Sequence, residues 1–162
     1  MTQQLRPIRL SLPMQLLRAR ETAMSKFRPM LRAHDLTEQQ WRVIRVLAAQ
    51  EKNLRDGASV DASELAEACF LLAPSLSRIL QTLELAGLVQ RKADDNDQRR
   101  SLISLTSKGR TKFDTVSPDS ELLYQEIEQQ FGGKKLQQLY KLLDELNTTC
   151  LLYTSPSPRD RG

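Results

Sequence analysis

The chain has 162 residues, 40% hydrophobic and 27% charged, with 24 Lys plus Arg against 20 Asp plus Glu. That profile describes one soluble globular domain and excludes intrinsic disorder and a collagen-like chain. No apolar run approaches the roughly 18 to 20 residues of a membrane helix, and the N-terminus lacks a signal-peptide core, so a cytoplasmic protein without a membrane partner is expected. Cys69, Cys150 and the single histidine His34 cannot assemble a Cys/His zinc cage. No metal and no cofactor are expected.

Charge is unevenly placed. Residues 1–60 carry 11 basic and 5 acidic side chains, residues 61–112 carry 8 and 7, and residues 113–149 carry 3 and 7. A basic front suggests a polyanionic partner, although the net charge of +4 discriminates little by itself.

The first predicted helix runs from about Pro13 to Ala33, where Leu16, Ala23, Met24, Phe27 and Leu31 recur at three- and four-residue steps, and Pro29 is expected to kink it. A second helix has an explicit start: Thr37 as N-cap, Gln40 as its capping-box partner, and Leu36 with Trp41 as a hydrophobic staple. Its inner stripe is Trp41, Ile44, Leu47 and Ala48, and a polar connection through Asn53, Asp56 and Gly57 ends it. Asp61 with Glu64 then opens a short helix through Leu65, Ala68 and Cys69. The next helix starts at Ala73 with Pro74 in its first turn and stops at Gly87. One stripe is apolar (Leu76, Ile79, Leu80, Leu83). The opposite face presents Ser77, Arg78 and Gln81, with Ser75 and Thr82 at its margin.

After Gly87 the period changes from helical to alternating. Leu88–Lys92 and Ser101–Leu105 read as two strands separated by a polar tip holding Asp94, Asp95, Asn96, Asp97, Arg99 and Arg100. Thr106 caps a further helix, Ser117-Pro118 marks a bend or a restart before Leu122, Leu123, Ile127 and Phe131, and Gly132-Gly133 breaks it. A last helix places Leu136, Leu139, Leu142, Leu143 and Leu146 on one stripe. From Cys150 the composition shifts abruptly to CLLYTSPSPRD, and residues 150–162 read as a non-native, adapter-like or disordered tail outside the fold.

Two short helices, a polar outward face on the second, and an Arg-bearing hairpin immediately after them give the element order of a winged helix-turn-helix. The fold class is therefore mainly α with a small β-hairpin wing. The expected organisation is a dimerisation helix over 10–33, a DNA-binding region over 34–112 and dimerisation helices over 113–149. In the major groove Arg78 can donate to guanine and Gln81 to adenine, while Ser75 and Ser77 serve phosphates or base edges. Arg99 at the hairpin tip suits the negative potential of a narrow minor groove, with Asp97 and Arg100 beside it. Arg78 can equally be solvated or paired toward Glu84. The outer helices carry apolar stripes too long for a small module to cover, so a homodimer on a palindromic double-stranded operator is expected.

Two other classes compete. An enzyme lacks support, because one histidine, no nucleophile elbow and no phosphate-binding glycine loop leave no catalytic set. A structural helical dimer would not need Asp97 and Arg99 on a hairpin tip.

The run from Leu65 to Arg110, LAEACFLLAPSLSRILQTLELAGLVQRKADDNDQRRSLISLTSKGR, resembles the winged helix of the MarR (multiple antibiotic resistance regulator) family, above all in Asp97, Arg99, Leu105-Thr106 and Gly109. By that resemblance Arg99 is the minor-groove arginine, Asp97 orients it, and Ser77-Arg78 stand where the family has Thr-Arg. ARETAMSKFRP (19–29), LTEQQWRVIRVL (36–47) and ACFLLAPSLSRIL (68–80) are similar to the subgroup controlling operons for homoprotocatechuate and 4-hydroxyphenylacetate degradation. The resemblance spans about residues 10–149 and implies a dimeric repressor released from DNA by a small aromatic carboxylate. In such proteins the effector lies between the dimerisation helices and the winged module. Trp41 and Phe27 would form the apolar slot, and Arg20, Arg42 or His34 the carboxylate partner, unless Trp41 is simply core and Phe27 dimer packing. Some family members sense peroxide through a cysteine near the N-terminal helix, but residues 1–68 hold none, and Cys69 is expected to be a small buried residue.

Overall fold

A computed structural model describes residues 6–53, 59–94, 97 and 100–152. Among them a 3-10 turn at Ile8–Leu10 precedes α1 (Leu12–Ala33) and α2 (Glu38–Asn53). There follow β1 (Val60–Asp61), α3 (Ala62–Ala68), α4 (Ala73–Leu85), β2 (Val89–Ala93), β3 (Ser101–Leu105), α5 (Ser107–Phe131) and α6 (Gly133–Leu152). The connection through Asp56 and Gly57, and Asp95, Asn96 and Arg99 of the hairpin tip, lie outside the described residues. The chain divides into two compact units, residues 1–120 and 121–162. In the second, Leu122, Phe131, Leu139, Tyr140 and Leu142 are exposed.

The helix starts and stops follow local hydrogen bonding. Thr37 and Gln40 form a reciprocal capping box: the Thr37 N–H donates to Gln40 Oε1 at 2.9 Å and the Gln40 N–H to Thr37 Oγ1 at 3.2 Å. Leu36 and Trp41, the staple pair, are both buried. Asp61 caps α3 by accepting from the Ser63 N–H at 2.9 Å, although Glu64 faces Arg100 rather than completing a box. At the end of α4, Gly87 has φ 71°, and the Leu88 and Gly87 N–H groups donate to Leu83 O and Glu84 O, both at 2.9 Å. This is the Schellman closure that a glycine in the left-handed region allows.

Two further features depart from expectation, besides α6 running through Cys150 to Leu152. The hairpin is part of a three-stranded antiparallel sheet of order β1-β3-β2, because Val60 pairs with Ile103 and Asp61 with Leu102. A two-residue strand carries no readable alternation, and only its partner defines it. The restart allowed for at Ser117-Pro118 does not occur: α5 runs through it with Pro118 inside the helix. Proline removes one amide donor there, while Ser117 Oγ stays within the helix by donating to Phe113 O at 2.7 Å.

The core of the first unit unites Leu31, Trp41, Ile44 and Leu47 of α1 and α2 with Leu65 and Cys69, the α4 stripe Leu76, Leu80 and Leu83, and Ile103, Leu105 and Val116. The stripes of α2 and α4 therefore pack as their spacing predicts. Cys69 is fully buried, and burial pushes its thiol above the ordinary range, against the opposing charge of Arg42. That environment fits a packing residue rather than a reactive thiol.

Candidate nucleic-acid interface

Three contacts hold the turn after α4 against the start of α5. Thr106 Oγ1 donates to Gly87 O at 2.6 Å and accepts from the Gly109 N–H at 3.0 Å, so one hydroxyl both caps α5 and holds the turn after α4. Lys108 Nζ donates to Ala86 O at 2.8 Å, adding a cation at the α4 C-terminus. At Gly109 a Cβ would lie 2.0 Å from Leu88 O, so the absence of a side chain lets α5 approach the start of β2.

Held this way, α4 buries Leu76, Leu80 and Leu83 and turns Ser75, Ser77, Arg78 and Gln81 outward, all exposed. Glu84 pairs with Arg91 (Nε to Oε1 3.2 Å), which leaves the Arg78 guanidinium without an ion-pair partner among the described residues. Leu85, 91% exposed, ends the same outward stripe. A row of exposed donors and acceptors backed by a packed apolar stripe is chemistry suited to base edges and phosphates.

The wing strands are joined from Val89↔Leu105 to Ala93↔Ser101. Beyond them the Asp94 N–H donates to Arg100 O at 3.1 Å and the Arg100 N–H to Asp97 O at 2.8 Å. Asp97 is exposed at this turn. The Arg100 side chain runs back to the helices: its Nε lies 3.1 Å from Asp61 Oδ2, with Asp94 and Glu64 each 3.7 Å from its other nitrogens. Among three carboxylates it is placed to hold the wing rather than to reach outward. Asp61 also accepts from the Ser63 hydroxyl. The Ser63 hydroxyl and N–H, followed by Arg100, hold the Asp61 carboxyl down at about 2.

Of the five residues expected at an effector site, the two arginines meet at a shared partner. Arg20 and Arg42 both approach Glu38, joined there by Arg28, whose Nε donates to Glu38 Oε2 at 3.0 Å. Glu21 completes the cluster with Arg20 at 2.6 Å and Arg28 at 2.8 Å. Partial burial pushes Glu38 up, but its bonds to Arg20 and Arg28 prevail and hold it below the usual carboxylate range. Arg42 also donates to Cys69 O at 2.9 Å, at the α3 C-terminus. His34 instead meets Asp119, Nε2 to Oδ2 2.7 Å.

Phe27 is buried but outside the core cluster that contains Trp41. The aromatic partner of Trp41 is Phe113, stacked with centroids 5.7 Å apart and planes at 24°. Trp41 Nε1 is buried and has no acceptor among the described residues. A pocket of about 420 Å³ lies nearby in sequence, lined by Arg28, Leu31, Arg32, Leu36, Thr37, Glu38 and Gln39. Sequence reasoning missed Arg28, Arg32 and Phe113. Only the first two carried a signal, as unassigned arginines four apart on one helix.

A helix-turn-helix with a free polar face on its second helix, followed by a tethered wing, defines a DNA-binding transcriptional regulator rather than an enzyme. Residues 34–100 match the MarR family. The chain is 45% identical over 135 residues to the homoprotocatechuate degradative operon repressor of Escherichia coli, covering 83% of this chain and 86% of that one. The crystal structure of transcriptional regulator PA4135 superposes with a TM-score of 0.80 at 44% identity, over 93% of this chain and 100% of the other. NadR in complex with 4-hydroxyphenylacetate superposes with a TM-score of 0.73 at 38% identity, over 90% and 97%. The chain belongs to the MarR family of transcriptional regulators.

Proposed function

We propose that this protein is a cytoplasmic, homodimeric repressor that binds a palindromic operator of an aromatic-acid catabolic operon and leaves it when a small aromatic carboxylate binds. The observation that carries the DNA part is the outward face of α4, where Ser75, Ser77, Arg78 and Gln81 stand exposed above a fully packed stripe. Arg78 and Gln81 read bases in the major groove, and the serines serve phosphates. Asp97 and Arg99, the latter outside the described residues, act at the wing tip. Arg100 contributes by holding the wing to Asp61.

Dimerisation is supported by apolar side chains that folding leaves in water. Ile8, Leu10, Leu12, Met14 and Leu17 are exposed at the start of the chain, and Leu122, Phe131, Leu139 and Leu142 in the C-terminal helices. A two-fold dimer would present two copies of α4 about one helical turn of DNA apart, which is why the operator is expected to be palindromic.

The effector reading draws on the relative that carries 4-hydroxyphenylacetate and on Trp41, whose buried N–H lacks, among the described residues, an acceptor that a carboxylate or phenol oxygen can provide. Trp41 on α2 stacks on Phe113 of α5. A ligand there changes how α2 and α5 pack, and α5 is anchored through Thr106 to the turn after α4. Release follows if the effector binds better to the arrangement that misplaces α4 for its half-site. Fluorescence anisotropy on DNA from the gene's own upstream region, at fixed salt, tests this. Specific binding reversed by 4-hydroxyphenylacetate or 3,4-dihydroxyphenylacetate supports the whole reading. Specific binding indifferent to both discards the effector, and its absence discards the regulator.

A further inference from the structure

The connection between α3 and α4 carries two residues at odds with their positions. Phe70 has φ 51°, in the left-handed region, where its N–H donates to Glu67 O at 3.0 Å and the next N–H, of Leu71, donates to Ala66 O at 2.9 Å. These bonds close α3 in the same Schellman pattern that ends α4, but with phenylalanine where glycine is free of strain. Burial does not compensate, since Phe70 is 91% exposed. Two residues on, Leu72 is the N-cap of α4, makes no side-chain cap bond and is 78% exposed. Leucine is among the poorest N-cap residues because it offers nothing to the free amides. Leu71 between them packs against the core, as the connection requires. Folding thus explains Leu71 and neither of its neighbours.

Both exposed side chains lie on the turn leading directly into α4, whose exposed polar residues begin with Ser75, Ser77 and Arg78. Major-groove edges offer one apolar feature, the 5-methyl group of thymine, and an aromatic ring is a suitable contact for it. We propose that Phe70, with Leu72 beside it, is a specificity-determining DNA contact that packs on a thymine methyl next to the bases read by α4. This rests on the DNA reading above and adds an apolar element to its polar ones.

The test uses the full chain and a duplex that the protein itself enriches from a random pool, with wild type, Phe70→Gly and Phe70→Asn compared by anisotropy and thermal unfolding. Glycine and asparagine tolerate the left-handed backbone, so both variants should melt no lower than wild type, and Phe70→Gly should melt higher. Affinity for the duplex should nevertheless fall about three- to ten-fold. Replacing thymines by deoxyuridine one at a time should weaken wild type by a similar factor at one position or more, and should leave Phe70→Gly unchanged there.

Wild-type affinity in both variants, with Arg78→Ala still weakened, overturns the Phe70 contact and leaves the DNA reading standing. Weakened variants with a flat deoxyuridine scan overturn the thymine assignment. A change of oligomeric state in Phe70→Gly by sedimentation overturns the proposal in favour of contact with a second copy. Failure of wild type to enrich any sequence overturns both readings.

Discussion

Arg100 Nε lies 3.1 Å from Asp61 Oδ2, joining two residues 39 positions apart, one where the wing hairpin returns and the other at the cap of the first helix of the DNA-binding pair. One carboxylate thus sets the start of α3 with Oδ1 and holds the wing with Oδ2. Asp61→Ala should lower stability by about 1–2 kcal/mol at neutral pH, while Asp61→Asn, which keeps the cap, should lose less. The folded carboxyl sits near about 2 against an ordinary 3.8, so its stabilisation is complete above 3.8 and disappears as pH falls through about 2. Urea unfolding between neutral pH and about pH 2 should therefore show the gap between wild type and Asp61→Asn closing only in that acid window. A gap independent of pH would contradict the assignment.

Gly109→Ala should destabilise the first unit by at least about 2 kcal/mol, because the new methyl meets a backbone carbonyl at 2.0 Å that cannot swing aside. Gly133→Ala is the control. Its Cβ would meet Glu128 Oε1 at 2.8 Å, the far end of a flexible side chain. A change of less than about 0.5 kcal/mol is expected there. Equal melting temperatures for the two variants would count against the close approach of α5 to β2.

Arg78→Ala and Gln81→Ala should each weaken operator binding by about 1–3 kcal/mol and relax discrimination at particular base pairs. Both side chains are exposed, so the unfolding midpoint should not move. Titrations against single-base operator variants read this directly. Equal losses on operator and random DNA would assign them to phosphates instead.

Trp41 is the only tryptophan in the chain, so its emission reports on its own surroundings. Adding 4-hydroxyphenylacetate should shift or quench it saturably. Trp41→Phe keeps a ring against Phe113 and removes the buried, unsatisfied N–H. That variant should fold with stability within about 1 kcal/mol of wild type, still bind the operator, and lose most of its response to the acid. Full release of Trp41→Phe by wild-type ligand concentrations would remove Trp41 from the effector site.

What could be read from the residues was local. The Thr37/Gln40 box, the Gly87 stop and the α4 stripe each depend on groups within about four positions along the chain, where helix geometry alone decides who meets whom. The winged order followed, and with it the outward face of Ser75, Ser77, Arg78 and Gln81. Partner choice at long range was not legible. That Trp41 would stack on Phe113, and that His34 would meet Asp119, 85 positions away, depended on how the chain closes. The same holds for the gathering of Arg20, Arg28 and Arg42 around Glu38, for the capture of Arg100 by Asp61, and for β1, whose two residues become a strand only when β3 lies beside them. Charged and aromatic side chains accept many partners of similar energy. The tertiary fold selects among them by distance, which no periodicity in the sequence encodes.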